Sequence, residues 1–241
     1  MLELPTIKGI IERRILANYR ISPEVLAGFL PKPFTPQIIN GYAVGGICLI
    51  RLKNIRPVFS PFNFGFSSEN AAHRFAVEWV HQGEKFNGVY VPRRDTNSYL
   101  TSLVGGRLFP GMQYYTKFNV KETDSNYQIS LQSNDKVTNM NISGKESNQF
   151  SEASIFESLE NASLFFKNGS LGYSPSKSNH FFEGMELNCT NWETQPLAVS
   201  HIESSFFSNQ TNFPKGSIEF DCALLMKNIH HEWQNKKNLC C

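Results

Sequence analysis

Between Glu69 and Val80 the chain alternates with a period of two. His73, Phe75, Val77 and Trp79 occupy one set of positions; Arg74, Ala76, Glu78 and Val80 occupy the other. That is the period of a strand, whose successive side chains leave opposite faces. The alanines in the run would tolerate a helix, but the alternation favours a strand. The surrounding punctuation points the same way. Gln82-Gly83 turns the chain, and Phe86–Val91 returns antiparallel until Pro92, which has no N–H for a ladder and is expected to end the strand. Asn40-Gly41, a strong type I′ hairpin signal, joins Gln37–Asn40 to Tyr42–Leu52. Gly45 and Gly46 within that second strand predict a bulge or bend.

The remaining segments extend the pattern. Arg14–Ile21 has strand-like content, and Ser22-Pro23 opens a short helix over Pro23–Leu30 that Pro31 and Pro33 stop. Ile55–Phe66 reads as a loop. Asp95 or Thr96 can cap a helix over about Ser98–Val104, closed by Gly105-Gly106, before a strand over Met112–Glu122. Tyr127–Leu131 and Val137–Ile142 form a polar hairpin around Asn134-Asp135. Ser154-x-x-Glu157 has the form of a capping box opening a helix over Ile155–Lys167, with Gly169 past its end. Met185–Trp192, Leu197–Phe207 and Ile218–Ile229 read as further strands. Many antiparallel strands and three short helices predict an α+β fold, mostly antiparallel β, built as a curved sheet or barrel. With no internal repeat and no long linker, one domain is expected over residues 1–241.

Composition narrows the function. A net charge of +2 leaves no footprint for nucleic acid. The longest apolar run, Tyr42–Ile50, is far short of the roughly 20 residues of a membrane span. Met1–Ile10 does not read as a signal peptide, so the cytoplasm is the expected compartment. The five cysteines are scattered without CxxC spacing, which argues against a disulfide framework or a zinc site. No H-x-H or H-E-x-x-H frame, no G-x-S-x-G elbow and no glycine-rich phosphate loop is present, so neither metal nor cofactor is expected.

The charges are unevenly placed. All nine arginines lie at or before Arg107. Arg presents the planar fork that suits carboxylates and phosphates, so an anion-reading site belongs in the first half. On a strand, Arg74 and Glu78 share one face and Glu69 and His73 the other. This would put a carboxylate anchor beside a general acid or base. Arg93-Arg94-Asp95, between a strand and a helix, could clamp an anion. Arg107 sits in an apolar, glycine-lined setting. The plainer alternative makes these groups surface ion pairs worth about 0–1 kcal/mol each.

The runs NYRISPEVLAGFLPKPF, GICLIRLKNIRP, SSENAAHRFAVEW, GVYVPRRDT and GGRLFPG, with the later GSLGYSP and ALLMKNIHHEW, resemble a bacterial domain-of-unknown-function 2071 family. That family is grouped with the acetoacetate decarboxylase-like superfamily. The resemblance implies a β-rich, cone-like barrel. Acetoacetate decarboxylases form a Schiff base through a lysine in a segment G-R-E-x-x-G-[FY]-P-K-K. Here Gly106 and Arg107 keep its start, while Tyr114 and Tyr115 stand where the lysines would be, and Lys117 lies two to three residues further on. A phenol cannot condense with a ketone, because an imine needs a primary amine.

What the resemblance implies is therefore a site for a small carboxylate or carbonyl ligand without covalent amine chemistry. In a lyase-type enzyme, Arg107 with Arg74, Arg93 or Arg94 would hold the carboxylate. Glu69 or Glu78 would move the proton, and Tyr114 or Tyr115 would donate to a developing oxyanion. A sensor or carrier would use the same arginines without turnover. A third alternative is a structural, homo-oligomer-forming domain in which the charges are buried ion pairs.

Overall fold

The computed structural model describes residues 6–61, 65–103, 109–178 and 180–240. Arg107, with the rest of 104–108, lies outside the described residues.

The chain opens with strand β1 (Ile7–Ile21) and helix α1 (Pro23–Phe29). Two short strands, β2 (Thr35–Pro36) and β3 (Ile38–Ile39), lead through the Asn40-Gly41 turn into β4 (Tyr42–Pro57). Asn40 and Gly41 both have positive φ, 46° and 83°, as that hairpin requires. Next come β5 (Phe66–His81), β6 (Glu84–Thr96) and helix α2 (Tyr99–Leu103). A meander of β7 (Gln113–Thr123), β8 (Asn126–Ser133) and β9 (Asn139–Glu146) follows, and then helix α3 (Leu159–Asn168). The chain closes with β10 (Leu171–Pro175), β11 (Phe181–Cys189), β12 (Gln195–Ser204) and the long β13 (Ile218–Cys240).

These strands form one thirteen-stranded, mostly antiparallel sheet that curls into a ring. β1 pairs β4, β4 pairs β5 and β5 pairs β6; β6 runs parallel to β10, β10 pairs β11, β11 pairs β13, and β13 returns to β1. A barrel of this kind leaves those strands no open edge. A second circuit leaves β6 through β7, β8, β9 and β12 and rejoins β13. β1, β4 and β5 are therefore buried on both faces, and two hydrophobic clusters lie on either side of them. One contains Ile15, Ile47, Leu49, Phe75 and Ile129. The other contains Leu16, Cys48, Phe166, Met185 and Leu224.

Three local expectations are corrected. Pro92 does not end its strand, because β6 continues to Thr96. The register against β5 shifts there, so that His73 faces Arg93 and Phe75 faces Tyr90. Val89 and Tyr90 pair with β10, whereas Arg94, Asp95 and Thr96 pair with β7. Pro92 sits where the strand changes neighbours, and a residue without an N–H costs least there. Gly45 and Gly46 do not form a bulge, since the registers with β1 and β5 run unbroken across them. They allow close approach instead: a Cβ on Gly46 would lie 2.4 Å from the Ala17 carbonyl oxygen. Ser154 does not open α3. Ser158 is its cap, accepting from the Asn161 amide, while the Ser154 hydroxyl donates to Asp221 at 2.7 Å.

Candidate functional site

Registers across four neighbouring strands place the side chains that matter. Arg14, Ile50 and Asn70 form one row; Leu16, Cys48, Ala72 and Arg94 form the next; Asn18, Gly46 and Arg74 form a third. Side chains opposite one another in a ladder share a face. Arg14, Cys48, Arg74 and Arg94 therefore rise from the same side of the sheet, with Cys48 between the arginines. That side lines a cavity of about 140 Å³ within the barrel. Every strand of the ring contributes to its wall, and α3 closes over it with Phe165 and Phe166.

The cavity is largely apolar, with Gln37, Asn70, Asp95, Gln113 and Ser170 adding polar groups to the arginines. Ile50, Leu52, Val91, Phe109, Met185 and Trp233 make much of its surface. Arg74 is 4% exposed; its guanidinium donates to Asn18 Oδ1 at 2.6 Å and lies 4.6 Å from the Phe166 ring centroid, and its Nε has no partner among the described residues. Gly46, between Arg74 and Asn18 in their row, leaves room for this reach. Arg94 Nε donates to Ser174 Oγ at 3.1 Å. Arg14 Nε lies 3.3 Å from Cys48 Sγ, and its Cζ is 5.5 Å from the Trp192 ring centroid.

Among the described residues, none of these guanidinium groups has a carboxylate within ion-pair distance. Glu183, which faces Ser174 across the β10–β11 ladder, accepts the Gly111 amide at 2.6 Å and forms no ion pair with Arg94. Burial lowers the pKa of Arg74 and of Arg94 to about 10, which leaves both charged at neutral pH. A largely apolar cavity whose guanidinium groups have no carboxylate partner among the described residues is a place for an anion.

Strand parity sends the neighbouring residues elsewhere. Arg93 points to the face opposite Arg94, where it binds Asp95 at 2.9 Å and Asp135 at 2.9 Å. Tyr114 lies against that same guanidinium, 4.1 Å from centroid to Cζ. Asp95 borders the cavity, but its carboxylate is held by Arg93 and by the Thr116 hydroxyl at 2.9 Å; burial raises its pKa against those partners. Glu69 is on the wrong face too. It joins Arg13 and Arg51, each at 2.5 Å, in a network completed by Glu122. Glu78 shares the parity of Arg74 but lies near the end of β5, away from the cavity and paired with Lys85 at 2.8 Å. Tyr115 is half-buried and packs edge-on against Tyr99. The structure thus brings Arg74 and Arg94 together in the cavity and leaves Glu69, Glu78, Arg93, Tyr114 and Tyr115 outside it.

The sequence reading missed Arg14, Cys48 and Gln113, which all line the cavity. Gln113 faces Arg94 across the β6–β7 ladder, at the start of the strand that carries Tyr114 and Tyr115. No lysine lines the cavity among the described residues, and the residues outside the description include none. Lys117 is exposed. Among the described residues no group of His, Cys, Asp and Glu is placed to hold a metal ion. No helix among them is long and apolar enough to cross a membrane.

A family model described as an uncharacterized conserved protein matches residues 11–217. No curated protein matches the sequence significantly. Among solved structures the chain is similar to acetoacetate decarboxylase from Legionella pneumophila, with a TM-score of 0.60 and 11% identity over 98% of this chain and 88% of that one. It is similar to an acetoacetate decarboxylase-like enzyme from Sphingomonas wittichii RW1, with a TM-score of 0.56 and 7% identity over 100% and 94%. It is also similar to the enduracididine biosynthesis enzyme MppR complexed with pyruvate, with a TM-score of 0.54 and 9% identity over 100% and 91%. The likeness is one of fold.

Proposed function

The chain belongs to the domain-of-unknown-function 2071 family, and from the cavity within its barrel we propose that the protein binds a small carboxylic acid. Arg74, Arg94 and Arg14 supply the donors for its binding, and no covalent amine adduct forms. One observation carries this reading: these guanidinium groups line one largely apolar cavity and, among the described residues, none is paired with a carboxylate. A charge-assisted hydrogen bond there contributes about 1.5–3 kcal/mol. An apolar cavity of about 150 Å³ is large enough for benzene, which bounds the ligand to a similarly small molecule. The pyruvate in the MppR complex is an oxo acid held in the same fold, and supports an acid here.

The geometry favours binding over turnover. A lyase needs a group to move a proton, and Glu69 and Glu78 are engaged in ion pairs away from the cavity. Tyr114 lies against Arg93 on the far side of the strand.

Thermal-shift titration with small oxo, hydroxy and unsubstituted acids tests the proposal. A bound acid at 100 times its Kd adds about 2.7 kcal/mol to stability. The expected result is stabilisation in wild type and Glu78→Gln, reduced at least tenfold in apparent affinity in Arg74→Gln and Arg94→Gln. Stabilisation that survives in both arginine variants, or fails in Glu78→Gln, overturns it. Proton NMR of the same mixtures should show the acid unchanged.

A further inference from the structure

We infer that the ligand carries at least two anionic groups joined by a short hydrocarbon chain. This rests on the acid-binding reading above and narrows it to a substrate class.

The argument is one of charge. Arg14, Arg74 and Arg94 come from β1, β5 and β6 and share one cavity. Glu183 is a carboxylate whose charge acts on Arg94, and it already accepts the Gly111 amide. Counting it fully against Arg94 still leaves two cations without an anion. A monocarboxylate would neutralise one and leave the other desolvated beneath its own hydrocarbon, which is the costly arrangement. The register also spreads the arginines. Arg14 and Arg94 are in neighbouring rows, separated by β4 and β5. At about 4.8 Å per strand, their attachment points stand roughly 14 Å apart, further than one carboxylate spans. Long side chains shorten that gap without bringing all the guanidinium groups to a single pair of oxygens. Between them the floor is Cys48, Ile50, Ala72 and Asn70, whose amide is engaged by Ser68, and the wall beyond is Met185 and Trp233. This middle section suits methylene groups rather than further polar atoms.

Phosphonates and carboxylates share the required chemistry, and the titration separates them. Calorimetry on the full chain at low salt would compare butyrate, malonate, succinate, glutarate, tricarballylate and 3-phosphonopropionate. The expected result is that a diacid or triacid binds at least tenfold more tightly than butyrate, with an optimum in chain length. In Arg94→Gln that advantage should fall below threefold. The phosphonate ranks above succinate if the partner is a phosphate compound, and below it if the partner is a carboxylic acid. Butyrate binding as tightly as every polyanion overturns this inference while leaving the acid-binding reading standing. Failure of every acid, monobasic and polybasic, overturns both.

Discussion

Arg94 donates to Ser174 and has no anionic partner among the described residues. Among the described residues Arg74 has a short hydrogen bond to Asn18 and no partner at Nε. Such groups raise the free energy of the empty protein, because desolvation is not offset by an opposite charge. They are the sort of local cost that binding sites carry. Replacing one with an apolar side chain should therefore stabilise the unliganded fold while weakening binding. Arg94→Leu is expected to add about 1 kcal/mol, or about 2–4 °C in Tm for a chain of this size, and to lower acid affinity at least tenfold. Scanning calorimetry with and without the acid checks it. An Arg94→Leu protein that melts well below wild type would make this arginine part of the scaffold. Glu69 gives the contrast: its partners Arg13 and Arg51 have no such surplus of charge, since Glu122 shares them.

The elements show what could be read from residues alone. The alternation through Glu69–Val80, the Asn40-Gly41 turn and the meander around Asn134-Asp135 are local signals, and β5, β4, β8 and β9 stand where they point. The misreadings depend on distant partners. Nothing near Pro92 announces that β6 exchanges β10 for β7 there. The Ser154 hydroxyl is engaged by Asp221, 67 residues on, so Ser158 caps α3 instead. The site follows the same rule. Treating Arg93 and Arg94 as one clamp assumed a turn, and a continuous strand sends the pair to opposite faces. Arg13 and Arg14 diverge in the same way on β1, one into an ion-pair network and one into the cavity. Ile11 and Ile15 gave no guide to that parity, because a register shift between Ile11 and Arg13 sends them into different clusters. The seating of Phe165 and Phe166 over the cavity needed the tertiary fold.

For the whole molecule, closing two circuits of strands leaves titratable groups in dry places. Burial lowers the His73 pKa to about 3, with Arg93 adding to it, and neither ring nitrogen has a hydrogen bond among the described residues. Burial lowers His231 to about 4. In the unfolded chain both titrate near 6.5, so below that pH the unfolded state binds more protons. Stability is therefore full above about 6.5 and is lost as pH falls towards 4. Between pH 6.5 and 5 each histidine withdraws roughly 2 kcal/mol, a figure set by the unfolded value while the folded one stays well below 5. Asp95, raised by burial, works in the opposite sense. Urea melts at pH 7.5 and 5.0 should show His73→Phe losing less stability on acidification than wild type by about that amount. Equal losses would mean that His73 is protonated in the fold.

The most direct measurement is a crystal structure grown with the best-binding acid. The account predicts carboxylate oxygens about 2.7–2.9 Å from guanidinium nitrogens of at least two of Arg14, Arg74 and Arg94, with the hydrocarbon over Cys48 and Ala72. An acid bound elsewhere on the protein, or those arginines turned to protein carboxylates around a filled barrel, would contradict it.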